Sequence, residues 1–336
     1  MQGASCIYTY TLAPCTEIYL EIKVIILYLL ECFFIIFAIY LPDKFKLTLN
    51  TIYKMIRITS FDKYEEELRM KFQRFFNESK AKALDFSDFL VCQQGGFYDW
   101  GGHPSIGLGE VGLNNLQKVN IINNMGASIC TSNDNHFEKN GNSFLNGTTD
   151  FENGIIRVCN MYLDIWENEW FLRTFTELLR VANGEHYDWS LDLSTLKETG
   201  KGKFIREEII GRLIRYPYLQ DIVKIGYNSN LRNAIGHSQY HIVQGGIWFD
   251  NFGRNKYATV RGLSFAEWEK IVIYAWLIFR IVFGMLLQMT TTIFLQMAKE
   301  TTSGGIPIMI PDNNDKWYYQ YIYPDSTGRT WRFVKV

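Results

Sequence analysis

Leu231-Arg232-Asn233-Ala234-Ile235-Gly236-His237 is the stretch on which the reading of this 336-residue chain turns. It joins an arginine, a polar residue directly after it and a histidine, with four residues between the arginine and the histidine. Arg232 supplies a permanent cation whose planar fork of donors suits phosphate oxygens. Histidine is the side chain that both takes and gives protons near neutrality, and His237 is the one in this run. In helical geometry Asn233 and His237, four apart, share a face, and Arg232 lies one step round. A cation and a proton carrier are thereby brought within reach of one phosphodiester.

The flanks extend the pattern. Tyr227-Asn228-Ser229-Asn230 is a capping cluster suited to start a helix. Tyr240 to Phe249 and Lys256 to Leu263 read as the two strands of a hairpin, with Asp250-Asn251-Phe252-Gly253-Arg254-Asn255 as its turn. Ser264-Phe265-Ala266-Glu267 carries a capping-box signature and opens a long apolar helix that runs to about Met297. In this order, residues 151–300 resemble the HEPN superfamily, whose ribonuclease members carry an arginine, a polar residue after it, and a histidine beyond a spacer of four to six residues. Arg232, Asn233 and His237 match that motif position by position. Some members also have His-x-Tyr at its end. Here His237-Ser238-Gln239-Tyr240 sets the tyrosine one residue late, so no tyrosine chemistry is carried over.

The resemblance implies a mainly α fold: a HEPN-like helical bundle with a β-hairpin after the motif. It implies a metal-independent endoribonuclease that needs no cofactor. The ribose 2′-hydroxyl attacks the neighbouring phosphorus and leaves a 2′,3′-cyclic phosphate and a 5′-hydroxyl. His237 moves the proton, Arg232 holds the phosphate, and Asn233 positions His237 or caps the local backbone. Two such motifs commonly face each other across a homodimer in this family. One motif per chain implies the same here, with RNA as substrate and a toxin or anti-phage abortive-infection role, under an antitoxin or regulatory partner that the residues do not identify. Two other readings stand beside this one. The chain is alternatively a non-catalytic HEPN-type module that binds RNA or a nucleotide, or a membrane-associated effector in which the motif is structural.

Composition bounds these readings. The net charge is −1, so no global charge argues for a nucleic-acid partner. Between Gly200 and Gly262, however, ten Lys and Arg face four acids, which leaves the rest of the chain acidic. Lys201, Lys203, Arg206, Arg212 and Arg215 form a basic stripe that could track an RNA backbone. The bland reading of the same residues is a solvated surface face. Cysteines 6, 15, 32, 92, 130 and 159 are scattered, with no C-x-x-C and no histidine at ligand spacing. That pattern argues against a metal site or a disulfide framework and fits free thiols in a reducing compartment.

Along the chain, four parts follow. Residues 1–45 hold Val24 to Leu41, eighteen residues with Glu31 as the single charge. With residues 18–23 in front, this approaches the length that crosses a hydrocarbon core of about 30 Å. Basic residues follow it, which predicts an external N-terminus and a cytoplasmic body anchored at the inner face of the membrane. The competing reading is a buried N-terminal helix. Residues 46–150 read as a helix over Leu47 to Ala83, then a Gly- and Asn-rich, loop-dominated region. Its Gly107-Leu108-Gly109-Glu110-Val111-Gly112 lacks the preceding apolar strand that a dinucleotide fingerprint needs, and reads as a glycine loop. His103 and His136 read as ordinary loop histidines.

Residues 151–300 form the HEPN-like part. In it Gly154 to Ala182 reads as one strongly periodic helix, and Arg206 to Arg215 as another, interrupted by Pro217. Glu185 and His186 read as a loop pair without a third partner, and His241 as structural. The long helix after Ser264 is apolar enough to rival a membrane span, but Arg280 in its middle favours packing against the bundle. Residues 301–336 alternate Trp317, Tyr319, Tyr321 and Tyr323 ahead of a Pro324–Gly328 turn, which predicts a terminal hairpin.

Overall fold

The computed structural model describes residues 55–98, 102–106, 110–131, 150–254 apart from 195 and 197, 259–300, 305–324 apart from 313 and 315, and 331–333. The expected N-terminal hydrophobic segment, its membrane contact at 18–41 and the first part of the 47–83 helix lie outside the described residues. What is described is mostly helical, with small and largely antiparallel sheets.

A two-residue strand β1 (Ile56–Arg57) leads into α1 (Ile58–Lys82). This helix buries Phe61, Leu68, Phe72, Phe75 and Phe76 along one face. Its other face carries Glu65–Arg69, Glu67–Lys71 and Arg74–Glu78 pairs at four-residue spacing. Next come α2 (Asp88–Gln94), a hairpin of β2 (Gly96–Tyr98) and β3 (Pro104–Ile106), and α3 (Glu110–Ile129). The loop-dominated reading of 86–150 is therefore corrected over its described part. Glu110, Val111 and Gly112 of the glycine motif begin a twenty-residue helix. Asparagines spaced through that helix weakened its sequence signal, since they favour turns as readily as helix interiors. Strand β4 (Cys130–Thr131) pairs in parallel with β1.

The long helix expected over 154–182 is two helices, α4 (Asp150–Glu167) and α5 (Glu169–Ala182). Asn168 separates them with extended backbone, and its side chain accepts the Phe171 N–H at 3.0 Å. A mid-sequence Asn followed by an acidic residue is an N-cap signal, and here it overrides the continuous apolar stripe. After α6 (Glu198–Phe204) the chain widens into a π-helical turn over Ile205–Ile210 and tightens into a 3₁₀ turn over Arg212–Arg215, where one regular helix was expected. Pro217 then opens α7 (Pro217–Gly226) at the position where its missing N–H costs nothing.

Helix α8 (Ser229–Gly236) carries the motif. The sheet behind it has three strands, β5 (Tyr240–Val243), β6 (Gly246–Phe249) and β7 (Gly262–Ser264), all antiparallel. The single strand expected over 240–249 thus folds back on itself at Gln244 and Gly245, where Gly245 takes φ +87°. The expected pairing of this stretch with the strand after the 250–255 turn is present as β6 with β7, and the described residues 259–261 of that expected strand lie outside β7.

Helix α9 (Phe265–Glu300) is the spine of the molecule. Ser264 and Glu267 form the expected capping box. Ser264 N–H donates to the Glu267 carboxylate at 2.8 Å, and Glu267 N–H donates to Ser264 Oγ at 3.3 Å. Between Ile271 and Leu287 the helix is apolar on nearly all sides because it is enclosed there by α1, α2, α4 and α7. Its Phe265–Thr290 portion is long and apolar enough to cross a membrane, yet 78% of its most apolar stretch is buried inside the protein. Arg280 finds Glu65 of α1 at 3.8 Å. Helix α1 and the helices of 151–300 share this one core.

Two glycines let neighbours approach α9 closely. A Cβ on Gly226 would fall 2.7 Å from Ile278 Cδ1, and one on Gly126 would fall 2.1 Å from the Trp276 ring. The C-terminal hairpin is present as β9 (Trp317–Pro324) with β10 (Trp331–Phe333). A third strand, β8 (Ile306–Pro311), pairs with β9 on the other side.

Candidate functional site

One helix builds the floor on which the motif rests. From the last two turns of α4, Tyr162 hydroxyl accepts the Asn228 N–H at 2.9 Å, and Trp166 Nε1 donates to the Gly226 carbonyl at 3.0 Å. Burial pushes the Tyr162 hydroxyl pKa up, so it stays a neutral hydrogen-bonding group. Asn228 is the N-cap of α8, accepting the Leu231 N–H on its side chain at 2.9 Å as the capping cluster predicts. Leu231, Ala234 and Ile235 face inward and fix the rotation of the helix. The start of α8 is thus set by α4 and by its cap, and its rotation by core packing.

Arg232 points back towards the same floor. Its Nε donates to Glu167 Oε1 at 2.7 Å, and its Nη2 donates to the same oxygen. Nη1 donates to Asn233 Oδ1 at 3.0 Å. The arginine side chain is only 13% exposed, against 29% for Glu167. Asn233 therefore orients Arg232 through its side chain, and meets His237 through its backbone carbonyl, which accepts the His237 N–H at 3.1 Å.

His237 is the C-cap of α8 and is exposed. Among the described residues its imidazole has no hydrogen-bond or ion-pair partner. The turn beneath it is tightly specified. Ser238 takes φ +52°, its N–H donates to Ile235 O at 3.0 Å, and Gln239 N–H donates to Ala234 O at 2.8 Å. This is a Schellman motif with serine where glycine is usual. The motif so presents a shielded cation and an open imidazole.

The basic stripe is largely neutralised by neighbouring acids. Lys201 meets Glu169 at 3.0 Å and Glu167 at 3.5 Å, and Lys203 meets Glu207 at 3.8 Å. Arg212 meets Glu185 at 2.6 Å and Glu208 at 2.9 Å. Arg215 donates to the Asn183 carbonyl at 3.2 Å. Arg206 and Arg215 are exposed and, among the described residues, meet no carboxylate. Of the stripe, only Lys201 joins the motif's network, through Glu167.

A cleft of about 710 Å³ opens between α3 and the junction of α4 with α5. Phe97, Lys118, Asp164, Trp170 and Arg173 line it, with Glu167 at its edge, whereas Arg232 and His237 do not. Burial raises the pKa of Asp164 in its wall. No group of three or more potential metal ligands occurs among the described residues.

Several other residues meet partners that their spacing does not reveal. His241 Nδ1 lies 2.6 Å from Asp250 Oδ1. The Glu185–His186 pair, expected to stand alone, is tied down on both sides. Glu185 joins Arg180 and Arg212, while His186 sits 3.4 Å from Asp88 and stacks on Trp317 at 4.3 Å. Glu167 is the site residue that sequence reasoning missed. A carboxylate at a helix C-terminus opposes the helix dipole and so calls for a nearby cation, which is the one signal that could have marked it. Compared with protein-family models, with curated proteins and with solved structures, the chain matches none.

Proposed function

We propose that the protein is a metal-independent endoribonuclease, in which His237 moves the proton during attack of a ribose 2′-hydroxyl on the adjacent phosphorus. The observation that carries this reading is the exposed imidazole of His237, without a partner among the described residues and held at the end of α8 by a doubly hydrogen-bonded turn just beyond Arg232. A general acid or base must reach substrate, and this one is open to it. Arg232 serves as the cation near the scissile phosphate, with Glu167 as its resting partner. A homodimer supplies a second His237, so that base and acid are separate groups. In a cell such an activity arrests growth, in keeping with a toxin or abortive-infection role, and residues 18–41 tether the body to the membrane.

The test is incubation of the purified full chain with total RNA in chelator. Parent protein is expected to yield 2′,3′-cyclic phosphate ends and to leave DNA intact, and His237→Ala to lose cleavage. Cleavage that survives His237→Ala, or none in the parent, removes the proposal. A second reading, a module that binds RNA without cutting it, draws on the Arg232–Glu167 pair: a guanidinium 13% exposed and already matched by a carboxylate is poorly placed to offset the charge that grows on phosphate oxygens during cleavage. Binding by the parent without cleavage selects that reading.

A further inference from the structure

The three-stranded sheet that follows the motif turns one face to the core and the other to solvent. Ile247, Phe249 and Leu263 are buried, while His241 and Trp248, directly opposite each other on β5 and β6, are exposed. Trp248 is 41% exposed, an unusual position for the largest apolar side chain. Nothing on β7 covers it, because its partner there is Gly262, where a Cβ would fall 2.9 Å from the indole. Arg261 lies over the ring instead, its guanidinium carbon 4.4 Å from the ring centroid, and meets no carboxylate among the described residues. Beside the pair is a hollow of about 280 Å³ floored by Gly245, Gly246 and Gly262.

We propose that this face, with Trp248 and Arg261 at its centre, is a docking platform for single-stranded RNA, on which an unpaired base stacks as the strand leads towards His237. The inference rests on the reading of the protein as one that acts on RNA, and adds where the substrate lies. Three properties select the occupant. An exposed indole and a guanidinium plane are both stacking surfaces for any base. Arg254 and Arg261 are exposed and meet no carboxylate among the described residues, whereas Asp250 on this face is paired with His241, so these two cations are complementary to a phosphate backbone. Finally, β5 starts three residues after His237, which keeps His241 within about 14 Å of it along the chain. That is a span a few nucleotides cover.

The test measures fluorescence anisotropy of a labelled, mixed-sequence single-stranded oligoribonucleotide with the full chain, in chelator and on a His237→Ala background. Trp248→Ala is expected to weaken binding by about five- to 150-fold, the range for losing one base–aromatic stack, while Trp248→Phe stays close to the parent. Arg261→Gln is expected to lower the log–log salt slope by about 0.7. It also serves where Trp248→Ala lowers the melting temperature. Unchanged affinity in both Trp248→Ala and Arg261→Gln overturns the inference. So does conversion of a dimer to a monomer by Trp248→Ala in light scattering, which makes the face an interface between copies. The two readings fail separately. Trp248-dependent binding without cleavage in the parent removes the nuclease and keeps the platform, whereas cleavage with the same KM in Trp248→Ala, made in the otherwise unaltered chain, does the reverse.

Discussion

Glu167 Oε1 accepts hydrogen bonds from two nitrogens of Arg232, and so a carboxylate 65 residues away in sequence decides how much charge the motif presents. Replacing it with an isosteric amide leaves a hydrogen-bond acceptor and removes the negative charge. Glu167→Gln is therefore expected to bind single-stranded RNA more tightly, with a log–log salt slope steeper by about 0.7. The cost in stability is about 1 kcal/mol, because both partners are partly exposed and Lys201 also loses an ion-pair partner. Binding titrations across salt concentrations check this. An unchanged slope means that Arg232 is a strut between α4 and α8 and never meets phosphate.

Ser238 is the described non-glycine residue with a left-handed backbone, and it directly follows His237. The left-handed region crowds a Cβ against the neighbouring backbone, and glycine avoids that. Ser238→Gly is expected to stabilise the fold by about 0.5–1 kcal/mol, seen as a higher urea midpoint with unchanged m-value. Ser238→Val is expected to destabilise it and to displace His237, lowering any RNA cleavage along with the midpoint.

Local rules in the sequence reached far into this fold, and stopped where partners are distant. The Ser264–Glu267 capping box, the Asn228 cap and the apolar face of α1 could each be read because cause and effect lie within one or two helical turns. The break at Asn168 was hidden by an apolar pattern that continues across it, since apolar residues are buried on both sides of the break. The fold-back at Gly245 was hidden because the ten residues around it look like one strand when no pairing is visible. At the site, α8 and its order of residues were legible. The shielding of Arg232 was not, because Glu167 reaches it only through tertiary packing. Charge counting failed in the same way: Lys201 and Arg212 each find acids brought close by the fold.

Asp88 and Glu177 are both fully buried, and Asp88 Oδ1 and Glu177 Oε1 lack hydrogen-bond partners. Burial, reinforced by nearby acids, pushes Asp88 up to about 8, and burial pushes Glu177 up to about 8. From about pH 4, where such groups titrate when unfolded, to about pH 8, the folded protein holds more protons than the unfolded chain. Stability contributed by these groups is therefore fully present at low pH and is lost as pH rises towards 8. Asp88→Asn and Glu177→Gln are each expected to flatten that decline, so that their melting temperatures gain on the parent at pH 8 and converge with it near pH 4. A parent melting temperature with no such fall, in scanning calorimetry across this range, counts against two neutral buried carboxyls.

Glu269 sits 3% exposed near the start of the spine helix, and Arg57 surrounds it. The Arg57 backbone N–H donates at 2.7 Å, Nε at 3.0 Å and Nη2 at 2.5 Å, and Ser60 Oγ adds a bond at 3.3 Å. A buried carboxylate so well satisfied adds little net stability, but it becomes costly once its cation is gone. Arg57→Ala is thus expected to destabilise the protein by about 3–5 kcal/mol, well beyond the effect of an exposed arginine. The double variant Arg57→Met, Glu269→Leu is expected to recover most of that loss, because apolar packing replaces the pair without leaving a charge unmatched. Urea unfolding of the three proteins separates the cases. A single-variant loss near that of a surface salt bridge, or a double variant no better than Arg57→Ala, would show that β1 and the spine helix are held by packing alone.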